Sequence, residues 1–321
     1  MIITQTPLRV SFLGGNTDLP EYFTQHGGMV LTTTIDKYIY CIVKERYDDL
    51  IYVNYSIKEI IEKVEDIKHD LVRESLKLLG ITKGIEISFL SDIPSKGSGL
   101  GSSSSVTVGL LNALHAYLGN VVSNDQLALE ACNIELIKLK KPIGVQDQYI
   151  AALGGLRWLY FLRSGRVVSD RINLPDSIKD DLDNSLMLFF TGITRQSDSI
   201  LAGLNVKKNK EILHKNKELA KKGVRTLKNG KIYPLGKYMD SYWEMKKTLS
   251  NKISNSDIDS AYEKAMGAGA LGGKILGAGG GGYMLLMVPE NKRSKVREVL
   301  KSYTELPFRL TNDGTKVIFN N

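Results

Sequence analysis

The sequence predicts a mixed α+β fold of two domains, from its length, its composition and the order of its elements. At 321 residues the chain exceeds the size at which one hydrophobic core usually stops growing, so we expect a boundary near residue 170, with domains 1–170 and 171–321. Hydrophobic residues at 42% and charged residues at 24% are typical of a globular protein. Strand patterns alternate irregularly with helical patterns, which favours α+β over a doubly wound parallel sheet.

The first half of the chain changes its hydrophobic period several times. Residues 32–45 are rich in β-branched and aromatic side chains and predict a strand buried on both faces. Apolar residues then recur at steps of three and four from Ile57 to Leu79, which predicts helical structure that ends at Gly80. Strict alternation over 85–89 predicts a half-buried strand. After the next loop, helices are predicted at 103–118 and at 124–138, the second beginning at a Ser123 or Asn124 cap.

The second half of the chain continues the irregular alternation. Ser164 and Gly165 lie between two strand-like stretches and predict a hairpin turn. The Lys-rich segment 207–231 carries apolar residues at helical spacing, so a helix with a solvated basic face is favoured over a nucleic-acid-binding stripe. The expected elements are the hairpin 156–174, a strand at 185–191, long helices to about residue 250, a helix at 256–266 and a strand at 283–288.

Composition and charge argue against several classes of protein. Lys and Arg exceed Asp and Glu by 43 to 35, and the resulting net charge of +8 attracts small phosphorylated ligands as well as nucleic acid. The two cysteines and four scattered histidines form no disulfide framework or metal-ligand spacing. The N-terminus has no apolar secretory core, and no stretch approaches the length of a membrane-crossing helix. We therefore expect a cytoplasmic protein that binds neither nucleic acid nor membrane.

A loop rich in glycine and serine joins the strand at 85–89 to the helix at 103–118. It reads Pro-Ser-Lys-Gly-Ser-Gly-Leu-Gly-Ser-Ser-Ser-Ser over 94–105. Glycines let backbone amides approach an anion closely, the N-terminus of the following helix favours negative charge, and serine hydroxyls add donors or a magnesium ligand. A flexible connector is the alternative, but the position between a strand and a strong helix favours phosphate binding. The loop lacks the Gly-Lys-Ser/Thr ending of a Walker loop and the third glycine of a dinucleotide-binding fingerprint.

Two other stretches, 267–272 and 277–282, match the glycine spacing of the dinucleotide fingerprint but not its context. The first follows a helix and the second leads into a strand, so neither would bring a pyrophosphate to a helix N-terminus. A tight turn is the simplest explanation for a glycine run. Four consecutive glycines over 279–282 forgo side-chain packing, however, so we favour the close approach of another backbone or a ligand.

Four polar residues are candidates for chemistry. Asp147 is the one carboxylate of its loop, and Glu135 lies in an otherwise apolar helix. The simpler explanations are that Asp147 caps a turn and that Glu135 faces solvent. Taken by themselves, the two residues slightly favour these simpler explanations. Arg9 lies in an apolar strand, where a half-buried guanidinium requires an anion or a carboxylate. Asp18 follows in a polar glycine turn, where Asp usually stabilises the turn itself.

Together these segments resemble the GHMP kinases, the superfamily of galactokinase, homoserine kinase, mevalonate kinase and phosphomevalonate kinase. The resemblance rests on three motifs in the family's order, at 7–18, 94–105 and 274–283. Within the superfamily the chain is most similar to the sugar 1-kinases that act on D-glycero-D-manno-heptose 7-phosphate, through Pro-Leu-Arg-Val-Ser-Phe at 7–12, Thr-Gly-Ile-Thr-Arg at 191–195 and the glycine-rich stretch 267–282, although fucokinase-like relatives share much of this. The resemblance implies a two-domain GHMP kinase fold with the active site in the cleft between the domains.

The resemblance also implies roles at matching positions. Asp147 matches the aspartate that takes or orients the proton of the acceptor hydroxyl, and Arg9 matches the basic residue that stabilises charge on the phosphoryl group or lowers the pKa of that hydroxyl. Ser103 and Glu135 match the ligands of Mg²⁺. The implied ATP-binding residues are Lys96, Gly97, Ser98, Gly99, Leu100, Gly101, Ser102, Ser103, Ser104, Gly279 and Gly280.

Sugar contacts are expected at Gly15, Asn16 and Asp18. Galactokinases carry Gly-Glu-His-Thr-Asp where this chain has Gly-Gly-Asn-Thr-Asp, so galactose is not the expected sugar, and Asn16 also replaces a glycine common in the heptose-kinase relatives. Two anionic substrates repel each other unless cations offset the repulsion. Arg195 and Lys274 are the candidates to bind a phosphate on the acceptor.

The sequence thus leads to the hypothesis of an ATP- and magnesium-dependent sugar kinase. It would phosphorylate the anomeric hydroxyl of the small-molecule substrate heptose 7-phosphate to the 1,7-bisphosphate, for the synthesis of nucleotide-activated heptose and surface polysaccharide. Two alternatives stay open, another sugar 1-kinase of fucokinase-like type and a catalytically silent sugar or nucleotide sensor. The presence of Asp147, Arg9, Ser103 and Glu135 argues against the silent sensor.

Overall fold

The computed structural model describes residues 1–94, 97–194 and 205–321. Its helices are α1 (Pro20–His26), α2 (Asp70–Leu79), α3 (Ser102–Tyr117), α4 (Asn124–Cys132), α5 (Gln146–Leu153), α6 (Asp176–Ser185), α7 (Lys210–Lys228), α8 (Pro234–Lys247), α9 (Ser256–Gly267) and α10 (Arg293–Val299), with a π-helix at Asn133–Lys138. Its strands are β1 (Ile2–Leu13), β2 (Gly28–Glu45), β3 (Ile51–Asn54), β4 (Lys58–Ile61), β5 (Ile85–Ser91), β6 (Arg157–Phe161), β7 (Val167–Arg171), β8 (Leu186–Phe190), β9 (Gly272–Ile275), β10 (Tyr283–Met287), β11 (Thr304–Glu305), β12 (Leu310–Thr311) and β13 (Lys316–Asn320).

The larger sheet is built around β2, whose first eight residues are all buried. β1 pairs with β2 along one edge, while β6, β12 and β5 pair with successive parts of its other edge. The order β13-β1-β2-β5-β3-β4 is completed by β7 on β6. Valine, isoleucine and threonine suit such a strand because branched side chains pack well on a pleated, buried surface. α3 packs on β1 and β2, which brings its N-terminus to the strand that carries Arg9.

The smaller sheet has the order β11-β8-β10-β9 and is antiparallel throughout. Of its two inner strands, β10 is buried at every residue. α8 packs on β9, and the glycine-rich segment 276–282 connects β9 to β10. The mixed α+β class is confirmed.

The end of the chain returns to the larger sheet. β12 pairs with β2, and β13 pairs with β1. The smaller sheet consists only of strands that follow residue 170. The division into 1–170 and 171–321 stays a prediction.

The helix predicted over 57–79 is wrong in its first half. Residues 58–61 form β4, which pairs with β3, and the α-helix begins only at Asp70. Ile60 is exposed whereas Glu59 is buried, because that carboxylate accepts hydrogen bonds from a tyrosine hydroxyl and from two backbone N–H groups in the turn before α2. The hydrogen bonds to Glu59 therefore bury a charged residue and leave its apolar neighbour exposed, the opposite of what the predicted helix assumes.

The helix predicted over 124–138 changes character at Asn133. Its predicted cap is confirmed, because Ser123 Oγ accepts a hydrogen bond from the backbone N–H of Gln126. After α4 the chain continues as a π-helix, a rare form that is frequent at functional sites. This π-helix carries Glu135. The other predicted strands and helices are confirmed, with ends that differ by a few residues.

Candidate active site

The glycine-rich loop leads from β5 into α3. Gly97, Gly99 and Gly101 have φ angles of 70°, 75° and 77°, a region that residues with a side chain rarely adopt. α3 begins at Ser102, and the residue at its N-cap position is Gly101, which has no side chain that could cap the helix. Such a helix start offers backbone N–H groups to an anion. Lys96, which was predicted for this site, lies outside the described residues.

The segment between β9 and β10 packs directly on this loop. A Cβ on Gly99 would lie 2.8 Å from the carbonyl oxygen of Leu276, and a Cβ on Gly277 would lie 2.8 Å from the Cα of Gly99. A Cβ on Gly282 would lie 2.5 Å from the carbonyl oxygen of Ser98. Side chains cannot approach a backbone so closely, so glycine is required on both sides. The close approach of another backbone, predicted from the glycine run, is confirmed.

Gly279 and Gly280 lie in the same segment and contact a different neighbour. The backbone N–H of Gly280 donates to the carbonyl oxygen of Ile253 at 2.7 Å, and a Cβ on Gly279 would lie 3.0 Å from that oxygen. Their contact with a nucleotide stays a prediction.

Arg9 joins the loop to Asp147. Its Nε and Nη2 donate to the two carboxylate oxygens of Asp147 at 2.8 and 2.7 Å, while Nη1 donates to the carbonyl oxygen of Gly99. The backbone N–H of Arg9 also donates to the carbonyl oxygen of Leu100. The side chain of Arg9 is 5% exposed and that of Asp147 is 23% exposed, so a fixed guanidinium orients a carboxylate that solvent can still reach. The structure therefore brings both predicted catalytic residues to the loop.

Glu135 is fully buried against the first turn of α3. Ser103 Oγ and Ser104 Oγ donate to its two carboxylate oxygens, each at 2.8 Å, and Gln148 Nε2 donates to the second oxygen. Burial raises the pKa of Glu135, and these hydrogen bonds, together with the charge of Lys141, oppose the rise. The predicted metal ligands, the Ser103 hydroxyl and the Glu135 carboxylate, thus lie in contact.

This pair fits a magnesium ion by its chemistry, because Mg²⁺ prefers oxygen ligands and usually completes its shell with substrate phosphates and water. In the described part of the chain, no group of three or more His, Cys, Asp or Glu side chains could hold a metal by itself. A magnesium site here would therefore need oxygens from the nucleotide.

Asp18 is buried beneath the N-terminus of α5. It is 3% exposed, and its Oδ2 accepts a hydrogen bond from the backbone N–H of Gln146 at 3.3 Å. A Cβ on Gly144 would lie 1.9 Å from the same oxygen, so the loop lies directly on the carboxyl. Burial, followed by the charge of Asp147, raises the pKa of Asp18 from 3.8 to about 6. Near pH 6 this carboxyl exchanges between a form that can donate a hydrogen bond and one that can only accept.

The glycine turn after β1 is held by α7. Asn216 Oδ1 accepts from the backbone N–H of Gly14 at 3.1 Å, and its Nδ2 donates to the carbonyl oxygen of Gly15 at 2.6 Å. A Cβ on Gly15 would lie 3.1 Å from the hydroxyl of Tyr242. Asn16 has a φ of 68°, a left-handed conformation that asparagine tolerates almost alone among residues with a side chain. Asparagine can therefore replace a glycine here without changing the backbone.

Lys274 lies on β9 and is 2% exposed. Its Nζ donates to the carbonyl oxygen of Phe12 at 3.2 Å and lies 4.5 Å from the centre of the Tyr242 ring. Burial, followed by the charges of Lys246 and Arg9, lowers the pKa of Lys274 well below its usual value. Its contact with a substrate phosphate stays a prediction. Arg195, the other residue predicted for that contact, lies outside the described residues.

Three residues of the site were not predicted from the sequence, namely Gln148, Asn216 and Tyr242. A signal was present for Asn216, because it is a lone polar residue on the face of α7 that buries Leu213 and Ala220. Gln148 follows Asp147 closely, but nothing in its spacing indicates a bond to Glu135. Tyr242 carries no local signal.

Two sequence profiles match the chain, that of the GHMP kinases N terminal domain over residues 57–155 and that of the GHMP kinases C terminal over residues 224–305. The D-glycero-alpha-D-manno-heptose 7-phosphate kinase of Campylobacter jejuni is 32% identical to it, over 98% of each chain. The chain is a GHMP kinase. The predicted membership and the predicted two-domain GHMP kinase fold are confirmed.

Other relatives agree with this assignment. The L-fucokinase/L-fucose-1-P guanylyltransferase of Bacteroides fragilis is 27% identical over 94% of this kinase, which spans 36% of that longer protein. The crystal structure of a D-glycero-D-manno-heptose 1-phosphate kinase from Bacteroides thetaiotaomicron superposes with a TM-score of 0.84 at 25% identity, covering all of both chains. A putative sugar kinase from Campylobacter jejuni superposes with a TM-score of 0.79 at 29% identity, covering 98% and 97% of the two chains.

The sugar-kinase relatives confirm the prediction that this GHMP kinase is a phosphotransferase and a sugar kinase. GHMP kinases use ATP as the phosphate donor, so the ATP prediction is confirmed at the level of the family. Within the described ranges, no helix combines the length and the apolar character needed to cross a membrane.

Proposed function

We propose that this GHMP kinase transfers the γ-phosphoryl group of ATP to the anomeric hydroxyl of D-glycero-D-manno-heptose 7-phosphate. The products are the 1,7-bisphosphate and ADP, and the product would supply nucleotide-activated heptose for surface polysaccharide. The observation that carries the proposal is Arg9, which holds the carboxylate of Asp147 and the backbone of Gly99 in the phosphate loop with one guanidinium. The acceptor is inferred from the name of the Campylobacter jejuni relative.

Asp147 is proposed to orient the anomeric hydroxyl and to take its proton. Each of its carboxylate oxygens accepts one hydrogen bond from Arg9 and has a further lone pair for a substrate hydroxyl. The sugar oxygen then forms a bond to the γ-phosphorus, the bond to the bridging oxygen of ADP breaks, and the proton passes to Asp147. Phosphoryl transfer depends on positioning and charge neutralisation, and Arg9 supplies both.

The backbone amides of residues 97–104 and the N-terminus of α3 are proposed to bind the phosphates of ATP. Ser103 and Glu135 are proposed to bind Mg²⁺, an ion that neutralises the charge of nucleotide phosphates when it is bound. Ser104 and Gln148 orient the carboxylate of Glu135 from its other side. This network keeps a buried carboxylate hydrogen-bonded, as a buried ligand requires.

The acceptor sugar is proposed to lie beside Gly15, Asn16 and Asp18, with its phosphate bound by Lys274 and Arg195. Lys274 supports this assignment because its buried amine has only a carbonyl oxygen as hydrogen-bond acceptor in the described structure, and a phosphate nearby would favour the protonated form that burial disfavours. A buried cation gains most from an anionic ligand. A comparison of the Michaelis constants of phosphorylated and unphosphorylated heptose in Arg195→Ala tests the other contact, and equal changes for both would remove Arg195 from it.

A panel of acceptors tests the proposed function. ADP release is coupled to NADH oxidation with heptose 7-phosphate, unphosphorylated heptose, L-fucose and galactose, and Asp147→Asn serves as the inactive control. The proposal expects the highest kcat/KM with heptose 7-phosphate and a new anomeric phosphate in the ³¹P NMR spectrum. A preference for L-fucose would favour the fucokinase-like alternative, which the Bacteroides fragilis relative supports. Binding of ATP without turnover on any sugar would favour a sensor.

A further inference from the structure

Lys246, on α8, is a buried lysine to which the proposed function assigns nothing. It is 1% exposed, and its Nζ donates to the carbonyl oxygens of Gly277 at 2.6 Å and Ile275 at 3.3 Å. These two carbonyl groups flank Leu276, whose own carbonyl oxygen lies against Gly99. The ammonium group therefore holds the segment that packs on the phosphate loop.

Arg9 holds the phosphate-loop side of the contact between Gly99 and the Gly277 segment. Its Nη1 donates to the carbonyl oxygen of Gly99, and Gly99 touches Gly277, the main partner of Lys246. Hydrogen bonds and one backbone contact thus connect Lys246 to Arg9 and from there to Asp147. A shift of the Gly277 segment would move both the loop and the base.

The charge of Lys246 has no counter-ion in the described structure. Within residues 1–94, 97–194 and 205–321, its Nζ bonds only to carbonyl oxygens, whereas the neighbouring Lys247 pairs with Glu244. The titratable groups near Lys246 are the guanidinium of Arg9 and the amine of Lys274, and neither of them supplies negative charge. The carboxylates of Asp18 and Asp147 favour the charged form of Lys274 and are not among the charges that shift the pKa of Lys246, and Arg9 already binds Asp147.

A buried cation without a counter-ion is unfavourable, and the group responds by releasing its proton. Burial, followed by the charge of Arg9, lowers the pKa of Lys246 to about 7. An anion in the phosphate loop would reverse this effect, because negative charge nearby favours the protonated amine. The expected change is therefore a higher pKa of Lys246 when nucleotide is bound.

We propose that Lys246 is a positioning residue that couples the binding of nucleotide phosphates to the packing of the Gly277 segment on the phosphate loop, with uptake of a proton from solvent. The proposal rests on the proposed function only for the place of the nucleotide and not for the identity of the sugar. Above pH 7 the amine of the free protein is mostly neutral, so nucleotide affinity should increase as the pH falls from 9 toward 7.

Isothermal titration of the whole chain with a non-hydrolysable ATP analogue and Mg²⁺ tests the proposal. Titration at pH 8 in two buffers of different ionisation enthalpy measures the protons taken up. Lys246→Met should weaken binding by about tenfold, the scale of a lost hydrogen bond from a charged group, and should lower the proton uptake. Lys247→Met is the matched control on the same helix and should match the wild type. Lys246→Arg keeps the charge at all pH values, so it should retain binding and lose proton uptake.

Steady-state kinetics separate this role from a merely structural one. Lys246→Met should raise the KM for ATP and leave the KM for the sugar within twofold, whereas a general loss of packing would change both. Wild-type affinity and proton uptake in Lys246→Met would overturn the proposal, as would undiminished uptake in Lys246→Arg if the methionine variant does not fold. A wild type that binds the nucleotide but phosphorylates no heptose would overturn the substrate assignment alone.

Discussion

Replacement of Asp18 by asparagine should stabilise this kinase at alkaline pH. The carboxyl of Asp18 is buried, and the charge of a second carboxylate, Asp147, further disfavours its ionisation. Asparagine has the same shape, so it fits beneath Gly144 and can still accept the hydrogen bond from the backbone N–H of Gln146.

The magnitude follows from the pKa of the carboxyl. In the folded protein the pKa rises from 3.8 to about 6, so the folded state binds this proton more tightly than the unfolded chain does. At about 1.4 kcal/mol for each tenfold change in proton affinity, the ionised carboxyl costs about 3 kcal/mol of folding free energy. This penalty is absent below the unfolded pKa near 4, grows between pH 4 and 6, and is complete above pH 6.

Urea unfolding of the wild type and Asp18→Asn, followed by tryptophan fluorescence from pH 4 to pH 8, measures the difference directly. Titrating groups remote from Asp18 are common to both proteins and cancel in the difference. The variant should be more stable by up to about 3 kcal/mol at pH 8 and nearly equal to the wild type at pH 4. Asp49→Asn, at a position 78% exposed, should show no such trend. A difference that does not vary with pH, or a less stable variant at pH 8, would refute the reasoning.

Three further substitutions test the site. Asp147→Asn should lower kcat by about a hundredfold or more while nucleotide binding in calorimetry persists, and wild-type turnover would dismiss Asp147 as the base. Ser103→Ala should raise the Mg²⁺ concentration needed for half-maximal activity in a magnesium titration, and an unchanged requirement would remove Ser103 from the ligands. Gly99→Ala would place a Cβ 2.8 Å from the carbonyl oxygen of Leu276, so it should lower stability by about 1–3 kcal/mol more than Gly119→Ala and raise the KM for ATP. Gly119 has an equivalent φ of 74° and open space around it, so equal losses of stability in thermal unfolding would show that backbone strain alone matters.

The sequence by itself determined the class of fold, the family and the order of the three motifs. These properties depend on short stretches of sequence. Glycines allow unusual backbone angles, and the period of the apolar residues distinguishes strands from helices. The same local pattern is misleading before Asp70, where residues 58–61 form a strand and the buried carboxylate of Glu59 accepts hydrogen bonds from the turn before α2. No periodicity of apolar residues reports such a hydrogen bond.

Only the tertiary structure decided which of the predicted site residues are in contact. Arg9 and Asp147 are 138 positions apart and form one bidentate pair, which removes the plainer explanation of Asp147 as a turn cap. Glu135 is not solvent-facing, because the start of α3 covers it and Ser103 donates to it. Lys246 becomes significant only where α8 brings its ammonium to the Gly277 carbonyl. Contacts between distant positions depend on how whole helices and strands pack against each other, and short stretches of sequence do not specify that packing.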